Sequence, residues 1–73
     1  MIKLSSLSKG ESARIVQLPN GDLRPQLIRL GLMEGAVVNC LERLPGGTLI
    51  LGHHRQEFAL STELADSINV MGL

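Results

Sequence analysis

The only two histidines of this 73-residue chain are adjacent, His53-His54, and adjacency governs what chemistry they can do. Imidazole and carboxylate ligands suit ferrous iron and other divalent transition metals. In an extended strand, however, consecutive side chains point to opposite faces, so the two rings could not chelate one ion together. A metal site then needs one histidine with Glu57, or with Cys40 brought across from a neighbouring strand. His53, His54 and Glu57 are therefore the metal-ligand candidates, for Fe2+ or another divalent ion, and no other cofactor is implied. The plainer reading of an isolated pair at a hairpin end is two solvated polar residues.

The remaining reactive groups carry less. Cys40 sits in the apolar run AVVNCLERL with no histidine or basic residue beside it to lower its pKa, so it reads as a small buried hydrophobe rather than a nucleophile. Pro45-Gly46-Gly47 lacks the Lys-Ser/Thr pair and the helix amino end of a phosphate-cradling loop, and reads as a turn. The seven carboxylates are dispersed along the chain, with no pairing that marks acid–base catalysis. No enzyme is expected.

Charge and aromatic content exclude further classes. Lys plus Arg and Asp plus Glu both number seven, giving zero formal net charge, and Phe58 is the single aromatic. Nucleic-acid binders need a concentrated positive field, and single-strand binders also need rings for bases to stack on. Arg14, Arg24, Arg29, Arg43 and Arg55 are instead scattered, so no nucleic-acid partner is expected. One cysteine permits neither an internal disulfide nor a Cys/His structural zinc site. No apolar run approaches the roughly 20 residues that span a bilayer, and Met1–Ser8 carries no cleavable signal pattern. A cytoplasmic protein without membrane insertion is expected, folded as one domain over residues 1–73, because two separate cores would each be too small to offset the entropy of ordering the backbone.

The elements that must position these residues are short. Ser12–Leu18 reads as a strand, stopped by Pro19-Asn20-Gly21. Asp22 stands where a helix N-cap would be, and Leu23, Leu27 and Leu30 follow at i, i+4 and i+7, a stripe expected to face the barrel. Pro25 is tolerated because it falls in the first turn. Gly31 lies where a left-handed residue closes a helix, with Leu32 placed for the accompanying hydrophobic contact. Gly10 and Gly35 are further turn positions. Ala36–Leu44, Thr48–His53 and Gln56–Ser61 read as strands, although alternation in the first of these does not assign an inward face. Thr62–Ala65 reads as one helical turn capped by Ser61 or Thr62, and Ser67–Met71 as a last strand. About five short strands, with one short helix after the first, predict a mainly β fold, a small SH3-like barrel whose closure removes the exposed edges of a flat sheet.

The segment Leu27-x-x-Leu30-Gly31-Leu32-x-x-Gly35 has a distinctive spacing. Together with Leu7-x-x-Gly10 and Ala13-x-Ile15 before it, and Ala59-Leu60 and Ala65-x-x-Ile68-x-Val70 after it, it resembles the FeoA family of ferrous iron transport accessory proteins, from Leu4 to Val70. The resemblance implies an SH3-like fold, a cytoplasmic location and a non-enzymatic role assisting the membrane transporter FeoB, which carries ferrous iron and has a guanine-nucleotide-binding domain. The implied partner is the cytoplasmic portion of FeoB. The same domain is similar to the C-terminal module of DtxR-type iron-dependent repressors, which gives the alternative of a transition-metal-binding regulatory domain. The chain has no room for the winged-helix DNA reader that precedes that module, which favours the transport accessory. Two positions depart from the family pattern: Gln26 stands where many members carry Arg, and Glu34 where members often carry Pro.

Composition also restricts how such a module binds. Polyproline readers line their groove with aromatic rings, and this chain has no Trp or Tyr. Its available contact material is aliphatic. With Leu23, Leu27 and Leu30 assigned to the barrel, Ile28 and Met33 are left for the surface, and apolar surface of this kind marks a protein contact. Ile28, Arg29, Leu32 and Met33 are the expected partner-binding residues, with Arg29 as a charged rim; self-association is a second use of the same surface.

Overall fold

The computed structural model describes residues 1–73. Six antiparallel strands, β1 (Ile2–Lys3), β2 (Ser12–Gln17), β3 (Val37–Arg43), β4 (Leu49–His53), β5 (Gln56–Leu60) and β6 (Asn69–Gly72), form one sheet in the order β1-β6-β2-β3-β4-β5. Helix α1 (Leu23–Arg29) joins β2 to β3, α2 (Thr62–Asp66) joins β5 to β6, and a single 3-10 turn, Leu4–Ser6, follows β1.

The sheet has one strand more than the sequence suggests. β1 is two residues long, too short to show a periodicity, and exists because Ile2 and Lys3 pair with Val70 and Asn69. The ladder ends at β1 and β5, so hydrogen-bonded closure does not remove its edges; at the β1 end, shortness leaves little edge to protect. Bulges between Ile15 and Gln17 and between Cys40 and Glu42 add local twist that curls the sheet over its core.

Alternation places one face of each strand inward. Ala13 and Ile15 of β2, Val38 and Cys40 of β3, Leu49 and Leu51 of β4 and Val70 of β6 are buried with Leu4, Leu7, Leu18, Leu27, Leu32, Leu60, Ala65 and Ile68 in one apolar cluster. The inward face of β3 is thus Val38 and Cys40. Ser61 caps α2, its hydroxyl accepting from the Leu64 amide at 3.2 Å.

Helix α1 departs from expectation on two points. Only Leu27 of the stripe is buried, whereas Leu23 and Leu30 are 41% and 42% exposed. A helix of seven residues makes about two turns, and here Leu27 alone reaches the core while both ends run past it. Asp22 makes no side-chain cap, because its backbone is already helical (φ −68°, ψ −24°) and an N-cap carboxylate reaches the first amides from an extended conformation. The carboxyl end follows the sequence closely. Gly31 adopts φ +88°, its amide donates to the Ile28 carbonyl at 2.9 Å, and the Leu32 amide donates to the Leu27 carbonyl at 2.9 Å. These two bonds satisfy carbonyls that the helix end would leave free.

Candidate functional site

The end of α1 and the turn after it form a surface that the sheet holds firmly. The Gly35 amide donates to the Ile15 carbonyl at 2.8 Å, the Ala36 amide donates to the Met33 carbonyl at 3.0 Å, and Arg14 Nη1 donates to the Gly35 carbonyl at 3.1 Å. Gly35 itself adopts φ +93°, and Gly10, at the turn before β2, φ +91°. Arg24, in the first turn of α1, forks onto Glu34, its Nη1 and Nη2 donating to Oε2 at 2.9 Å and Oε1 at 3.1 Å. The Arg24 guanidinium holds the Glu34 carboxyl below the usual range. Glu34 therefore ties the start of the helix to the turn beyond its end, a link across ten residues that no local pattern signals.

On this frame Ile28 is 38% and Met33 44% exposed. Arg29 is exposed in the last turn and takes part in neither of the ion pairs, which are Lys9–Glu42 and Arg24–Glu34. Leu32 is different: it is fully buried. The chain reversal at Gly31 turns it inward onto the core, so it positions the surface and is not presented on it, contrary to its place among the expected contact residues.

Beside this turn lies an open hollow of about 640 Å3 whose walls include Gly31, Met33, Glu34, His53 and His54. His53, the last residue of β4, is nearly buried, at 7% exposure. Its Nδ1 donates to the Val37 carbonyl at 2.8 Å. His54 and Arg55 form the two-residue β4–β5 turn with φ +49° and +66°, the left-handed pair of a type I′ hairpin, usually made by Asn and Gly. Because His54 leaves the extended conformation, strand alternation does not separate the histidines, and their ring centroids lie 4.0 Å apart with a 56° tilt.

Glu57 does not join them. It pairs with Gly52 while His53 pairs with Gln56, so it projects from the opposite face of the ladder. Cys40 is 1% exposed in the core, and burial pushes its thiol pKa up, which suits packing rather than nucleophilic chemistry. No group of three or more His, Cys, Asp or Glu side chains is placed to hold one metal ion.

A family model described as the FeoA domain matches residues 2–71. The chain belongs to the FeoA family. FeoA membership links it to ferrous iron uptake and to a non-enzymatic, accessory or regulatory role. A crystal structure of an iron uptake regulatory protein, FeoA, is 30% identical, with 99% of this chain and 96% of that chain covered and a TM-score of 0.87. Zinc-complexed FeoA from Stenotrophomonas maltophilia, described as a procaryotic SH3 domain protein, is 23% identical over 97% of this chain and 91% of that chain, at a TM-score of 0.81. ScaR with bound zinc is 23% identical, the match covering 100% of this chain and 37% of that chain with a TM-score of 0.87. These last two likenesses show a shared, SH3-like fold, common to FeoA proteins and the C-terminal module of DtxR-type repressors. No curated protein matches the chain. No helix of this FeoA domain is long and apolar enough to cross a membrane.

Proposed function

We propose that this FeoA chain is a cytoplasmic accessory that binds the cytoplasmic portion of a FeoB-type ferrous iron transporter and modulates transport through protein contacts. One observation carries the reading: Leu23, Ile28, Leu30 and Met33, four large apolar side chains on one short helix and its following turn, are all exposed. Large apolar side chains left exposed favour a partner that removes them from water. The Arg24–Glu34 fork and the turn's bonds to β2 hold them in place before binding, which lowers the ordering cost of association. Arg29 supplies the charged rim.

The contact residues proposed are accordingly Leu23, Ile28, Leu30 and Met33 with Arg29. Ferrous iron uptake by cells carrying the Ile28→Ser/Met33→Ser double variant tests this, once circular dichroism has shown that the variant is folded. Reduced uptake is the expected result; uptake and transporter binding equal to those of the unaltered chain would remove the helix from the account.

A further inference from the structure

The histidine pair is built differently from two solvated surface residues. His53 is held by its Nδ1–H bond to the Val37 carbonyl at 2.8 Å, and in the neutral ring this places the lone pair on Nε2, the arrangement by which a backbone carbonyl orients a metal-ligating imidazole. Nε2 has no hydrogen-bond partner in the protein, and since no fully buried side-chain nitrogen or oxygen lacks one, Nε2 keeps some contact with solvent at the edge of a ring that lines the hollow. Gly31 keeps that approach clear, since a β-carbon there would stand 3.2 Å from Nε2. The left-handed turn at His54, φ +49°, then brings a second ring to 4.0 Å. That ring is exposed and can rotate about its side-chain bonds without disturbing the core.

We infer that His53 Nε2 and one ring nitrogen of His54 form a two-imidazole site for a divalent transition-metal ion. Glu34 also borders the hollow but is engaged by Arg24 and is not a ligand. Two protein nitrogens with water in the other positions fall short of a closed structural set, so the ion exchanges freely and the fold does not depend on it. Zinc binds such a nitrogen pair more tightly than ferrous iron does, following the usual order of divalent affinities. The hollow shares Met33 with the docking surface, but the imidazoles can be titrated with no partner present.

The test uses tag-free, 15N-labelled protein titrated with zinc chloride and, anaerobically, with ferrous ammonium sulfate. Long-range 1H–15N correlation spectra read each imidazole nitrogen directly. The expected result is a saturable shift of His53 Nε2 and of one His54 nitrogen at one equivalent of zinc, with zinc affinity falling about tenfold or more in His54→Ala as a two-point attachment becomes single. Absence of a saturable shift, or a shift at one ring only with affinity unchanged in His54→Ala, would overturn it. His54 lies at an exposed hairpin tip, so this variant keeps the fold, and the spectra of the unaltered protein report on His53 without any substitution there.

Discussion

The His53 ring lies against the backbone of Gly31: a β-carbon built on Gly31 would come within 3.1 Å of His53 Cδ2 and 3.2 Å of Nε2. The close of α1 and the end of β4 are thus fitted to each other. Gly31 is constrained twice, by this contact and by φ +88°, whereas Gly35 has a similar φ of +93° with nothing within 4 Å of a β-carbon. A left-handed alanine costs roughly 1–2 kcal/mol, and His53, tied to Val37, cannot easily retreat. Gly31→Ala is therefore expected to lose more stability than Gly35→Ala, about 2–3 against about 1–2 kcal/mol, measured by urea denaturation.

The β4–β5 turn offers a substitution in the opposite direction. Arg55 adopts φ +66° as a non-glycine residue, at the position where type I′ turns favour Gly. Relief of the left-handed penalty exceeds the added unfolded-chain entropy of glycine. Arg55→Gly is expected to stabilise the domain by about 0.5–1 kcal/mol, seen as a higher denaturation midpoint with an unchanged slope.

The leucines around α1 separate packing from presentation. Leu27 and Leu32 are buried in the core cluster, so Leu27→Ala and Leu32→Ala should each cost about 2–5 kcal/mol, enough to threaten folding in a domain of this size. Ile28→Ser and Met33→Ser alter side chains that are partly exposed and should each cost only about 1 kcal/mol. Thermal melts of the four single variants check this division.

The same residues show what the sequence could reveal. The helix stop at Gly31 and Leu32 was legible because it is encoded within a few positions, as were the strands whose apolar residues alternate. Exposure of Leu23 and Leu30 was not, since spacing gives their shared face but not how far a two-turn helix runs past the core. The two-residue strand Ile2–Lys3 carries no pattern and depends on its partner β6. Meeting of the histidines requires a left-handed His54, which residue type does not signal, and the Arg24–Glu34 fork is made by tertiary geometry. Of the expected contact set, Ile28, Arg29 and Met33 are on the surface; Leu32 is not, because the closing turn that the sequence did show directs it inward.

Acid should weaken the fold through two carboxylates. Hydrogen bonding from Arg24 lowers the pKa of Glu34, and hydrogen bonding from Lys9, 3.1 Å away, lowers that of Glu42, both from an ordinary 4.5. A carboxyl with a lower pKa folded than unfolded binds fewer protons in the native state, so its stabilisation is present above about pH 4.5 and is lost as pH falls through the lowered value. Denaturation midpoints between pH 7 and pH 3 should fall less steeply in Glu34→Gln/Glu42→Gln than in the unaltered chain. Added salt should shrink the difference, because both pairs are exposed to solvent.

The docking surface is tested most directly by amide chemical-shift mapping, with the labelled domain titrated with the isolated cytoplasmic portion of a FeoB-type transporter. The account predicts saturable shifts concentrated on Leu23–Gly35, absent in the folded Ile28→Ser/Met33→Ser variant. Shifts confined to β5 and the outer face of β3, or binding unchanged in that variant, would contradict it.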